Sequence, residues 1–170
     1  MDDIYQKKVH AAKKVHEKAR YFRGRFLNSM ACIERDIAVI LTKYFCTNDE
    51  TKRELFFSKV MERLSLNKKK EILIAIVKKD YPRYWEENKQ CLIDLQKLQE
   101  FRNKLAHSVV DVSDDALNRP VEEGIGFIQW DKGAPITDTE FDEWQVRTST
   151  VISVLDSIKR LLPFKEKPID

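Results

Sequence analysis

Glycine and proline are scarce. The 170-residue chain holds 4 glycines and 5 prolines, which argues against the turn-rich pattern of a sandwich or barrel. Its 3 cysteines, Cys32, Cys46 and Cys91, are odd in number, far apart and each set in a helical pattern. They form no CxxC pair and are expected to be small core residues in a reducing compartment. Of the 3 histidines, His10 and His16 lack ligand-like neighbours, so no zinc site is expected. No apolar run approaches the length of a membrane span or of the apolar core of a signal peptide, and a cytoplasmic protein with no membrane contact follows as the default. Charge of one sign is also lacking: the net charge is +3, which provides no global basic field for nucleic acid.

What the chain has in quantity is charge of both signs, 35% of its residues, interleaved with apolar positions at helical spacing. Its length suits one domain with a real core. The expected fold is all-α: an antiparallel helical bundle of five to six helices, with a small β-hairpin inserted before the last helix. The expected single domain covers residues 1–170, with a basic helix at 1–20, the insertion at 108–134 and a tail at 163–170.

The first helix, residues 3–20, has a weak apolar face of Ile4, Ala11, Ala12, Val15 and Ala19, with Gly24 as the expected bend or break after it. Lys7, Lys8, Lys13, Lys14, Lys18, Arg20, Arg23 and Arg25 oppose only Asp2, Asp3 and Glu17 in residues 1–30. A solvated helix face is the simpler reading of that imbalance, and a phosphate-tracking patch the sharper one.

The second helix, to about Phe45, carries Phe22, Phe26, Met30, Ile33, Ile37, Ile40 and Leu41 on one face. The loop at 47–50 offers capping residues, a short helix bears Leu55, Phe56 and Met61, and Asn67 is the expected cap of the next helix. The run Lys68–Lys70 is expected to be a solvated first turn, at some cost against the helix dipole. Tyr81-Pro82 stops that helix. Ser108–Val112 and Gly126–Trp130 are expected strands, joined by an acidic loop over 114–123, and Pro135 is expected to end the insertion. Thr137 and Glu140 form a capping box for the last helix, which runs to about Leu162.

Chemistry concentrates at the end of the helix expected from about Arg83 to His107, in Arg102-Asn103-Lys104-Leu105-Ala106-His107. Trp85, Cys91, Leu92, Leu95, Leu98, Phe101 and Leu105 make its apolar stripe. At about 100° per residue, positions seven apart are nearly in line, so Arg102 projects along the line of Leu95. A guanidinium there needs a partner. Glu34 interrupts the apolar face of the second helix in the same way, and helical phase pairs the two. Asn103, His107 and Gln96 share the adjacent polar edge, with Arg102 and His107 splayed on an ideal helix.

Arginine, a polar residue, then histidine after three more positions resembles the signature of the HEPN superfamily, helical domains named for nucleotide binding in higher eukaryotes and prokaryotes. The match covers Arg102, Asn103 and His107, and the helical chain from about Tyr21 to Leu162 is compatible with it. The resemblance implies a metal-independent endoribonuclease that needs no cofactor, acting as a homodimer on RNA with both motifs lining one cleft. Arg102 and His107 would be catalytic, with Asn103 orienting the histidine or the phosphate. Glu34 as the support of the arginine comes from helical phase alone. A role as a toxin or antiphage effector, with an antitoxin or regulatory protein as partner, belongs to the same expectation.

A second reading stays open beside it. Relatives of the mannitol operon repressor share an Arg-Asn…Ala-His stretch, and the chain also resembles these non-catalytic binding or regulatory modules. In that case Arg102 fixes helix packing through Glu34, and His107 caps the terminal carbonyls of its own helix.

Overall fold

The computed structural model describes residues 2–46, 49–128 and 135–162. Among the described residues the fold is all-α, with six α-helices and a small three-stranded antiparallel sheet. The helices are α1 (Asp2–Phe45), α2 (Glu50–Lys59), α3 (Leu66–Asp80), α4 (Pro82–His107), the four-residue α5 (Asp114–Leu117) and α6 (Asp138–Leu161). The strands are β1 (Val109–Val110), β2 (Ile125–Ile128) and β3 (Pro135–Ile136). The chain divides into two units, Met1–Ser29 with Leu98–Arg147, and Met30–Lys97 with Thr148–Asp170. No helix among the described residues is long and apolar enough to cross a membrane.

The expected break at Gly24 does not occur: α1 is one helix of 44 residues. Phe22 and Phe26, one helical turn apart on either side of Gly24, are buried at 1% and 0% exposure. Burying such a side chain contributes about 1.5–3 kcal/mol, against about 1 kcal/mol lost at an interior glycine. Packing therefore carries the helix through.

In the first unit, Val15, Ala19, Phe22 and Phe26 of α1 are buried, as are Leu98, Phe101 and Leu105 of α4. Phe22 stacks on Phe141 of α6 with ring centroids 4.0 Å apart. Phe101 stands edge-on to Phe26 and stacks on Trp144. The insertion is richer than a hairpin. β2 pairs with β1 through Val109 opposite Ile128 and with β3 through Gly126 opposite Pro135. Pro135 thus lies within a strand instead of ending the insertion. The expected strand residues Gln129 and Trp130, and the tail at 163–170, lie outside the described residues. Gly124 has φ +120°, and a Cβ there would come within 2.9 Å of the Ile136 carbonyl oxygen, so only glycine suits the entry to β2.

In the second unit, Ile33, Ile37, Ile40 and Leu41 of α1 form the core with Leu73, Val77, Leu92, Leu95 and Leu155. Asp49 caps α2 by accepting from the Lys52 amide, while Thr47 and Asn48 lie outside the described residues. Ser65, not Asn67, caps α3 through the Lys68 amide. Asn67 sits inside the helix and donates to Glu71. The proline at 82 opens α4, at the first helical position where its missing N–H costs nothing. Half of the expected capping box of α6 forms, with the Glu140 amide donating to Thr137 Oγ1 at 3.1 Å.

The lysine run is the largest departure from expectation. Lys69 and Lys70 are buried, at 4% and 9% exposure. Lys69 donates to Glu34 at 2.7 Å, Lys70 to Gln96 at 2.5 Å and Lys68 to Glu71 at 2.9 Å. A buried ammonium requires a polar partner. The first turn of α3 carries three cations, and each has such a partner. Cysteine placement also differs from expectation. All three are free, and Cys32 is exposed instead of buried, while Cys46 and Cys91 are half-buried.

Candidate functional site

The last turns of α4 present Arg102, Asn103, Ala106 and His107 to solvent. The expectation that Arg102 projects from a buried ridge is not met, and the geometry of the stripe explains why. The buried positions Leu92, Leu95, Leu98 and Phe101 recur every three residues. Each such step falls about 60° short of a full turn, so the buried direction rotates around the helix. Through Phe101 and Leu105 it has moved about 80–120° from Leu95, and a residue in line with Leu95 stands on the exposed flank. Arg102 is that residue.

Arg102 Nη1 donates to Asn103 Oδ1 at 3.0 Å, which joins two of the three motif residues. Asn103 therefore orients the guanidinium in this arrangement. His107 is the last residue of α4 and is exposed. Arg102 and His107 are five positions apart, about 140° around an ideal helix, and sit at the two edges of one exposed face. Ala106 lies between them and leaves that face shallow.

Glu34 is not the support of Arg102 that helical phase suggested. It accepts from Lys69 Nζ, whose side chain is 5% exposed against 40% for Glu34. A fully buried ammonium has the stronger claim on a carboxylate than a guanidinium that can reach water. Gln96, expected on the same polar edge as Asn103, accepts from Lys70 instead.

Nor does His107 cap its own helix. Arg23 of α1 does so: its Nε donates to the Leu105 carbonyl at 2.8 Å and its Nη2 to the Ser108 carbonyl at 2.5 Å. The same guanidinium lies over the Phe127 ring, 5.1 Å from the centroid. A cation at the C-terminus of a helix satisfies the orphan carbonyls and complements the dipole. No local feature of the sequence distinguishes Arg23 from the neighbouring cations of α1. Its role depends on which of them lies beside the end of α4. Next to the site, Ser108 Oγ and Gln99 Oε1 are buried without a hydrogen-bond partner among the described residues.

Among the described residues no group of three or more histidine, cysteine, aspartate or glutamate side chains is arranged to hold a metal ion. No protein-family model, no curated protein and no solved structure matches the chain.

Proposed function

We propose that the chain is an endoribonuclease of HEPN type, acting without a metal as a homodimer in which two exposed Arg102–His107 faces meet across one groove. One observation supports this reading above the others: the fold does not use Arg102 or His107 for its own stability. The carbonyls that His107 would cap are held by Arg23, and the carboxylate that Arg102 would pair with is held by Lys69. An arginine, an asparagine and a histidine left exposed together are available for a ligand.

The chemistry needs little else. Attack of a ribose 2′-hydroxyl on the adjacent phosphorus forms a 2′,3′-cyclic phosphate and breaks the bond to the 5′-oxygen of the next nucleotide. One group takes the 2′-hydroxyl proton and another donates a proton to the leaving oxygen. Histidine suits both roles near neutral pH. Arg102 presents a planar fork of donors to the phosphate oxygens, where negative charge grows, and Asn103 holds that fork in place. A single chain places one histidine at this face, so acid and base together require the second copy. A role as a toxin or antiphage effector, held in check by an antitoxin or regulatory partner, fits an enzyme of this kind.

One observation favours the alternative, a non-catalytic binding or regulatory module. In the single chain the backbone positions of Arg102 and His107 stand about 140° apart around the helix, which is a surface for contact as much as for catalysis. Incubation of the purified protein with labelled RNA in chelator separates the two. The nuclease reading expects fragments ending in cyclic phosphate, and the binding module expects intact RNA.

A further inference from the structure

We propose that the first unit contains a second site, a groove that binds a small organic anion with an apolar body. It lies between the early turns of α1 and the 114–122 segment, and it is independent of the ribonuclease reading. Two lysines of α1 hold that segment in place. Lys8 pairs with Asp114 at 2.7 Å, and Lys18 donates to both the Val121 carbonyl and Asp138 at 2.8 Å. These anchors are ten residues apart, about 15 Å along the helix. Between them α1 lines the groove with the short side chains of Ala11 and Val15 beside His10 and Lys14, and a cavity of about 460 Å³ remains. That volume falls within the range of about 300–1,000 Å³ usual for small-molecule sites.

The lining defines the ligand. Ala11 and Val15 on α1 face Leu117 and Val121 across the cavity, so its body is apolar. Lys7, His10, Lys14 and Arg119 also line it, against a single carboxylate, Glu122. Lys7 is already paired with Asp3, whereas Arg119 engages only its Nε, with the Asp115 carbonyl at 3.3 Å, so Lys14 and the terminal amino groups of Arg119 are the cations best placed for a ligand. A bare inorganic anion would leave the apolar walls wet, and a neutral apolar molecule would leave the cations unanswered. A phosphate or carboxylate head on a compact hydrocarbon or aromatic body satisfies both.

The test is titration of the isotope-labelled full chain, followed by backbone amide shifts, with phenyl phosphate and hexanoate as probes and inorganic phosphate and benzyl alcohol as controls. Saturable shifts centred on Ala11, Lys14, Leu117 and Val121 are expected with one or both organic anions, and the stronger of the two identifies the preferred combination of head and body. Each control should bind at least about 10-fold more weakly, because it lacks one of the two contributions. The double variant Lys14→Glu with Arg119→Glu, at two exposed positions, should bind at least about 10-fold more weakly while remaining folded, since it replaces attraction with repulsion. Ala11→Leu should fill the floor and block binding. The proposal is overturned if neither organic anion saturates, if inorganic phosphate binds as well as phenyl phosphate, or if the double charge reversal leaves affinity unchanged.

Discussion

Arg23 on α1 donates from Nε to the Leu105 carbonyl at 2.8 Å, closing the end of the helix that carries His107. This contact leaves the histidine without the capping task that the binding-module reading gave it. Arg23→Ala should lower the free energy of unfolding by about 2–4 kcal/mol, because two carbonyls lose charge-assisted hydrogen bonds worth about 1.5–3 kcal/mol each and partly recover with water. His107→Ala, at an exposed position, should change stability by no more than about 0.5 kcal/mol. Urea unfolding of both variants checks the contrast, and equal losses would return the capping role to His107.

The Glu34–Lys69 pair makes a second prediction. Lys69→Ala removes a buried stem and a close ion pair and should cost about 1–3 kcal/mol. Lys69→Met keeps the stem, and the freed carboxylate of Glu34, 40% exposed, can turn to water. That variant should stay within about 1 kcal/mol of the wild type, as hydrophobic replacements of buried ions commonly do. Glu34→Gln should leave the rate of RNA cleavage unchanged. A loss of cleavage in that variant would mean that Glu34 supports Arg102 after all.

Two glycines should respond in opposite directions to alanine. Gly24 is exposed within α1, and a Cβ there meets nothing within 4 Å. Gly24→Ala should therefore raise stability by about 0.5–1 kcal/mol. Gly124, with φ +120° and the Ile136 carbonyl in the way, should lose at least about 1 kcal/mol on the same change. Thermal unfolding of the two variants distinguishes them.

Cysteine reactivity should follow placement. Burial, with a smaller contribution from Asp94, pushes the Cys91 thiol up to about 11 from its ordinary 9.0. Cys32 is exposed. A thiol reagent at pH 8 should modify Cys32 first and Cys91 slowly, since the thiolate is the reactive form. The sign of the stability effect follows from the same shift. Between about pH 9 and pH 11 the unfolded chain releases the Cys91 proton and the folded chain keeps it, so stability present below that window falls as pH rises through it. Cys91→Ser should flatten this part of the stability profile.

Much of the fold is legible in the sequence where a local signal suffices. The threonine cap at Thr137, and the proline at 82 that separates α3 from α4, lie where their chemistry places them. The misses share a cause, which is that tertiary contacts outweigh local rules. Phe22 and Phe26 hold α1 together across Gly24, and Lys69 is drawn into the interior by Glu34. β3 and α5 are too short to show a period of their own. At the site, the identity of Arg102, Asn103 and His107 is readable, but the exposure of Arg102 is not. Phase extrapolated from Leu95 assumes a straight stripe, whereas steps of three residues rotate it.

RNA cleavage without a metal, by the exposed imidazole and guanidinium proposed at the end of α4, is open to a decisive assay. The most direct measurement is the single-turnover rate of RNA cleavage in excess chelator, comparing wild type with His107→Ala at matched folded concentration. Cleavage by the wild type is expected, with a loss of at least about 100-fold in the variant, the lower range for removal of an acid–base group. Intact RNA with the wild type, or cleavage that continues undiminished in His107→Ala, would contradict it.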